Sequence, residues 1–457
     1  MVVRFNMLCL ALLCMLTRAM RVADNHISGA EVNLEHHMQA ENPKVVDRGI
    51  QADGPDEVIE EVPEWLQNLV KALEDPDESV RLAAQNSLET MARSKKELLP
   101  EIAKALKCQF WKVRRWVVQL LEELAGEDAL PYLLEALDDK DSDVRQDALK
   151  ALARINPSKP EVAAGISKAL DDKSVNVRKA AVRSLQDASQ TNSELVAPMI
   201  SKAVCDENEE VRKLAMTTLQ SIAQQSPNAV IPEATKVCTC NIWSSRLWAI
   251  QALAHLAGES ALPEFVKALG DSDSDVRVAA VEALQSIAQT SPELAAPEIS
   301  KALDDKSVNV RKAAVRSLQV AGRKNSELVA PMISKAVCDK EEELRKLAMT
   351  ALQSIAQQSP NAVIPEATKV FTCNLWSSRI WAIQTLAHLA GESALPEFVK
   401  ALGDSDSDVR VAAVEALQSI GQTNPELAAP EISKALADKS AMVRKAAVQA
   451  LAGLGTR

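Results

Sequence analysis

Apolar residues along the chain recur at helical spacing. After Gly270, the residues Val276, Ala280, Ala283, Leu284 and Ile287 fall at i, i+4, i+7, i+8 and i+11, one stripe of a 3.6-residue helix. A turn rich in Ser, Pro or Asn follows (QTSPE), then a second amphipathic run, LAAPEISKALDD, which ends on acidic residues. The order helix, turn, helix returns along most of the chain. A Val-Arg dipeptide, with Leu-Arg and Ser-Arg variants, marks each return, at Arg81, Arg114, Arg145, Arg178, Arg212, Arg246, Arg277, Arg311, Arg345, Arg379, Arg410 and Arg444. Steps of 31 to 34 residues between these arginines mean stacked supersecondary units, each covering its neighbour's apolar stripe. The pattern predicts an all-α fold: a right-handed α-solenoid (α-α superhelix) of about 12 helix pairs over residues 63–457. A lone second helix at 63–74 and a lone first helix at 442–453 are the expected caps.

A longer period lies over the short one. Residues 173–305 return almost letter for letter as 306–438, so a four-repeat block has been copied. A more diverged copy lies upstream, where CQFWKVRRW at Cys108 answers CNIWSSRLW at Cys240 and CNLWSSRIW at Cys373.

The units resemble the short, PBS-lyase-like form of the HEAT repeat, with the pattern D-x-D-V-R-x-x-A-x-x-A-L at Asp273 to Leu284 and Asp141 to Leu152. The resemblance spans roughly residues 63–455. It implies that second helices line a concave face and that motif arginines and aspartates form a ladder between neighbours. The expected rungs involve Arg145, Arg178, Arg277, Arg311 and Arg410 with Asp143, Asp275 and Asp408. Such solenoids host many roles, so the resemblance speaks to fold more than to function.

Composition agrees with helices: 47% of residues are hydrophobic but only 3% aromatic, with a single tyrosine. The formal net charge of −11 supplies no general cationic field for phosphates, which argues against nucleic acid as a partner. At the N-terminus, Arg4 precedes the apolar run MLCLALLCML, and TRA ends at Ala19. Ten apolar residues are too few to span a bilayer, so residues 1–19 read as a signal peptide rather than an anchor. The expected destination is the secretory pathway or the cell exterior, with a two-part plastid presequence as the alternative. Residues 20–62 are acidic and aperiodic and are expected to be disordered.

The aspartates of GDSDSDVR, at Asp271, Asp273 and Asp275, have calcium-loop spacing, but Val276 stands where such a loop needs glycine. A helix start, with its demand for capping acids, explains them better. Cys205, Cys240, Cys338 and Cys373 lie near the ends of second helices. Equivalent positions on stacked helices are about 8 to 10 Å apart, beyond disulfide reach, so free thiols are expected. Cys238 and Cys240 have no nearby histidine and make a poor metal site. His255 and His388 match in the two close copies, whereas the older copy has Glu123 there.

Six of the seven tryptophans fall in three pairs: Trp111 and Trp116, Trp243 and Trp248, Trp376 and Trp381. They either fill space beside a shortened turn or anchor a partner. The second helices carry a recurring Pro-Glu-x-x-Lys at Glu101/Lys104, Glu233/Lys236, Glu264/Lys267, Glu298/Lys301, Glu366/Lys369, Glu397/Lys400 and Glu431/Lys434. Each pair shares a helix face, and on a concave face they would make a polar ladder suited to an extended or helical protein partner.

Two enzyme families share this repeat. Deoxyhypusine hydroxylase-like di-iron oxidoreductases hold metal with His-Glu pairs, and this chain has no His-Glu dipeptide. A HEAT-like bilin lyase, or a chaperone-type subunit of phycobiliprotein assembly, is the alternative suggested by LAGESALPEFVKAL. The preferred expectation is a non-catalytic, monomeric scaffold without cofactor or metal. It would bind protein through Glu233, Lys236, Glu264, Lys267, Glu298, Lys301, Glu366, Lys369, Glu397 and Lys400, with Trp243 and Trp376 as candidate anchors.

Overall fold

In the computed structural model, residues 63–454 are described, apart from 157, 158 and 191. The expected signal peptide and acidic segment lie outside the described residues. Within the described part all regular structure is helical, and its consecutive helix pairs stack on one another as the α-solenoid that the spacing predicts.

Each repeat begins with a first helix, such as Ser274–Ala288, which carries the motif arginine. It is followed by a shorter second helix, such as Pro292–Lys301, and a 3₁₀ turn, Ala302–Asp304, that leads into the next loop. The first helices start where the sequence supplies a cap. The Asp273 side chain accepts the Asp275 N–H at 2.8 Å, and Asp406 does the same for Asp408 at 2.9 Å, satisfying amides that a helix start leaves orphaned. Several second helices instead open on proline at the first turn, where a missing N–H costs nothing. A lone second helix, Glu64–Lys71, precedes the first full pair, and a lone first helix, Ala441–Leu454, follows the last.

The apolar stripe is the core. Val276, Ala280, Ala283, Leu284 and Ile287 are all buried, as are Val310, Ala314, Val315 and Leu318 on the next first helix, against which Ser274–Ala288 packs. Alternating alanines with Val and Leu keeps helices close while filling the space between them.

Three repeats have a shortened connection, and there alone a described glycine takes a positive φ, at Gly126, Gly258 and Gly391 (φ 58°, 54° and 55°). Each glycine opens a single 3₁₀ turn that replaces the longer Ser/Pro/Asn loop. No atom lies within 4 Å of a Cβ built on any of the three, so glycine is required by the backbone conformation alone.

Candidate functional site

The interhelix loops are joined by a ladder of ion pairs, and one rung shows the construction. Arg277 Nε and Nη2 donate to Asp305 Oδ2 and Oδ1 of the next repeat at 2.7 and 2.8 Å. Its Nη1 donates back to the carbonyls of Asp271 and Ser272 at 2.9 and 3.2 Å, closing the loop that precedes its own helix. Asp305 also accepts the Ser307 N–H at 2.7 Å. One planar guanidinium therefore fastens two loops, with a two-point grip on the carboxylate that an ammonium lacks. The same pairing recurs as Arg114–Asp139, Arg145–Asp172, Arg178–Asp206, Arg246–Asp271, Arg311–Asp339, Arg379–Asp404 and Arg410–Asp438, at 2.6 to 2.9 Å. The arginine side chains are 3 to 12% exposed.

The arginines are those expected, but the acids are not. Asp143, Asp275 and Asp408 sit exposed in the first helical turn. The motif places Asp and Arg side by side in sequence, whereas the rung spans 25 to 28 residues, to the acid six positions before the next arginine. The calcium-like spacing has the same explanation: Asp271 receives Arg246 and Asp273 caps a helix. Burial pushes the Asp271 carboxyl up, but the Arg246 hydrogen bonds and the Asp273 N–H outweigh it and hold it below the ordinary carboxylate value.

At three junctions the six-before position holds cysteine instead: Cys108, Cys240 and Cys373. Arg212 and Arg345 accordingly bond only their own loop carbonyls. Here the expectation of free thiols is overturned. Cys205 is joined to Cys240 and Cys338 to Cys373, with Cα–Cα distances of 6.1 and 5.9 Å. The partners are not equivalent positions on stacked helices but lie one residue out of register, past the helix ends, where the interaxial spacing no longer keeps backbones apart. A buried serine reinforces each junction: Ser245 Oγ donates to Val204 O at 2.6 Å and Ser378 Oγ to Val337 O at 2.7 Å. At the third junction the residue 35 positions upstream is Leu73, whose carbonyl accepts the Cys108 thiol at 3.4 Å, while Arg81 stacks on Phe110 at 4.1 Å. Six-residue spacing to the arginine was the signal that would have identified these cysteines as rung positions.

The remaining described thiols are poor nucleophiles. Burial raises Cys108 above the ordinary thiol value and pushes Cys238 up to about 11, so both stay protonated near neutral pH. Among the described residues, no group of three or more His, Cys, Asp or Glu is placed to hold a metal ion.

The Pro-Glu-x-x-Lys pairs divide into two kinds. Glu233 and Glu366 are buried, accept Ser201 Oγ and Ser334 Oγ of the preceding second helix at 2.7 and 2.9 Å, and hold Lys236 and Lys369 at 2.7 Å. Glu101 is buried too and pairs with Lys104. Glu298–Lys301 and Glu431–Lys434 are more open, at 2.6 and 2.7 Å. For Glu264/Lys267 and Glu397/Lys400 the glutamates are half-buried and the lysines exposed. In the first cases the acid is a fastening inside the stack, and only the lysine faces outward.

The tryptophan pairs also divide. Trp248 and Trp381 fill the core at 6 and 5% exposure, whereas Trp243 and Trp376, at the starts of the same helices, are 46 and 49% exposed. His255 and His388 are exposed on those helices.

The family model for HEAT repeats matches residues 99–186, 231–319 and 364–452, more than half of the chain, in the phase of the four-repeat copies. No curated protein matches the sequence. Among solved structures, an engineered protein is 21% identical over 85% of this chain and 98% of its own, with a TM-score of 0.31. Kap95p, solved with RanGDP, is 15% identical over 85% of this chain and 55% of its own, with a TM-score of 0.38. Kap121p bound to Nup53p is 15% identical over 86% and 49%, with a TM-score of 0.39. The chain spans about half the length of those two larger proteins. Matched by its family model across three blocks and built of stacked helix pairs tied loop to loop, the chain belongs to the HEAT-repeat proteins.

Proposed function

We propose that the chain is a non-catalytic scaffold that holds a protein partner, an extended or helical segment, along its second-helix face. The carrying observation is a row of outward lysines, each braced from within. Lys104, Lys236, Lys301, Lys369 and Lys434 are 65 to 67% exposed, and each ammonium is paired with a glutamate three residues earlier on the same second helix. Such bracing orients a long side chain before a partner arrives, which lowers the entropy cost of gripping it. The half-open Trp243 and Trp376 are the aromatic anchors that this reading assigns to the same partner. The acidic total favours protein over nucleic acid. Two disulfides fit an oxidising compartment, which supports a secretory or plastid route over residence among reducing thiols.

The test replaces Lys236, Lys301, Lys369 and Lys434 by Gln, which keeps a donor for each glutamate. Amine cross-linking of the intact protein in an extract of its source is expected to join one partner to second-helix lysines, and affinity purification without cross-linker is expected to retain that partner on the intact protein and to lose it with the fourfold variant, of unchanged helicity. Equal capture by the variant, or cross-links confined to the first helices, contradicts the proposal.

A further inference from the structure

Two cavities of about 350 and 340 Å³ occupy equivalent places in the two close copies, each between consecutive first helices. In the first, Gln220 and Gln224 stand on one helix and Gln251 and His255 on the next, all exposed at the rim. Below them lie apolar side chains, among them Leu219, Val230 and Leu256. No Lys, Arg, Asp or Glu lines either cavity. Trp248 and, 133 residues on, Trp381 line the inner walls, and their indole N–H groups are buried with no hydrogen-bond partner. A buried donor left unpaired costs about 1 to 3 kcal/mol, and its recurrence at the same place in both copies makes each indole N–H a reporter on the wall of its cavity.

The older copy supplies a contrast. There the rim positions of Gln220, Gln224 and His255 hold Glu89, Arg93 and Glu123. Arg93 donates to Glu89 at 2.9 Å and to Glu123 at 2.7 and 3.0 Å, bridging the two helices. Its charges satisfy one another. In the close copies the carboxamides and imidazole form no such bridge, and the groove stays open.

From this geometry we infer that each of the two cavities binds an uncharged, extended peptide segment, which sets one apolar side chain on the floor and is held through its backbone by the rim glutamines. A carboxamide carries one donor group and one acceptor, the same complement as a peptide unit, and can pair with it twice. The absence of charged lining disfavours an ionic ligand. The chemistry of carboxamides beside an aromatic also suits a carbohydrate, but Trp248 is 6% exposed and offers no open ring face for a sugar to stack on. The rim lies on first helices, and although Val230 of the floor belongs to the second helix Pro227–Val237, no residue of the lysine row lines either cavity.

Indole-¹⁵N tryptophan labelling of the full chain tests this, with the Trp248 and Trp381 signals assigned by Trp248→Phe and Trp381→Phe. The probes are acetylated, amidated peptides Gly-Ser-Gly-X-Gly-Ser-Gly with X as Leu, Ile, Met or Phe, and maltotriose. At least one peptide is expected to move both signals saturably, with two sites per chain. Building the older copy's bridge into the first cavity alone, by Gln220→Glu, Gln224→Arg and His255→Glu, is expected to abolish the Trp248 response and leave that of Trp381, which also reports that the stack is intact. No response to any peptide at millimolar concentration, a response to maltotriose only, or an undiminished Trp248 response in the bridged variant overturns the inference.

Discussion

Cys205 and Cys240 are joined by a disulfide between consecutive interhelix loops, at a junction where the repeats on either side are fastened by an arginine and an aspartate. Cys240 stands six residues before Arg246, as Asp271 stands six before Arg277, so Arg212 finds sulfur where its counterparts find carboxylate. Cys338 and Cys373 repeat the exchange one block later. From Arg114 onward the stack is thus continuous in its loop fastenings, with two covalent rungs among eight ionic ones, whereas at the Arg81 junction Cys108 bonds only the Leu73 carbonyl.

The ionic rungs set unequal costs for deleting arginines that look alike in sequence. Arg277→Ala leaves the Asp305 carboxylate, 12% exposed, without its partner and is expected to cost about 3 kcal/mol. Arg212→Ala removes only bonds to two carbonyls and is expected to cost about 1 kcal/mol. Denaturant unfolding of the two variants checks the difference.

The fold was legible because one residue stripe carries it: Val276 to Ile287 is periodic in sequence and buried in the structure. The motif arginines were legible for the same reason, since their spacing is the repeat. Their partners were not, because D-V-R places the wrong aspartate next to each arginine while the true rung crosses to the following loop. The disulfides were hidden by comparing like positions, when Cys205 and Cys240 are 35 residues apart, one more than the 34-residue repeat step at that junction. The buried Glu233 and Glu366 each bond a serine 32 residues earlier, Ser201 or Ser334, that no local pattern marks.

Acid should loosen the ladder. Burial pushes the Asp305 carboxyl up, but the Arg277 hydrogen bonds and the Ser307 N–H hold it below its ordinary 3.8. A carboxyl depressed in the folded state contributes stability that is complete above the unfolded value and is lost as pH falls through the folded one. The stability difference between the protein and Asp305→Asn is therefore expected to be level above about pH 5 and to shrink below about 3.8. Unfolding curves from pH 7 to pH 3 measure it.

Thiol chemistry should distinguish the cysteines. Between residues 63 and 454, only Cys108 and Cys238 are expected to titrate in the denatured, unreduced protein, and neither is expected to react readily with iodoacetamide at pH 7 while folded. Mass mapping of alkylated peptides, with and without reductant, checks both expectations.

The shortened turns should reject any side chain for conformational reasons alone. Gly258→Ala is expected to cost about 1 to 2 kcal/mol although nothing lies within 4 Å of the added methyl, because φ is 54°. Gly270→Ala, without positive φ, is the control and is expected to cost less in the same thermal melts.

The equivalence of covalent and ionic rungs can be measured by exchanging one for the other. Cys205→Ser with Cys240→Ser is expected to lose about 2 to 4 kcal/mol in denaturant unfolding, the worth of a cross-link closing a loop of this size. Cys205→Ser with Cys240→Asp gives Arg212 the carboxylate that Arg246 has in Asp271, and it is expected to recover most of that loss, to be indifferent to reductant, and to lose the recovery when Arg212→Ala is added. If the aspartate variant unfolds no later than the serine variant, with or without Arg212, the cysteine does not occupy a rung and the account of the stack as fastened at successive loops is wrong.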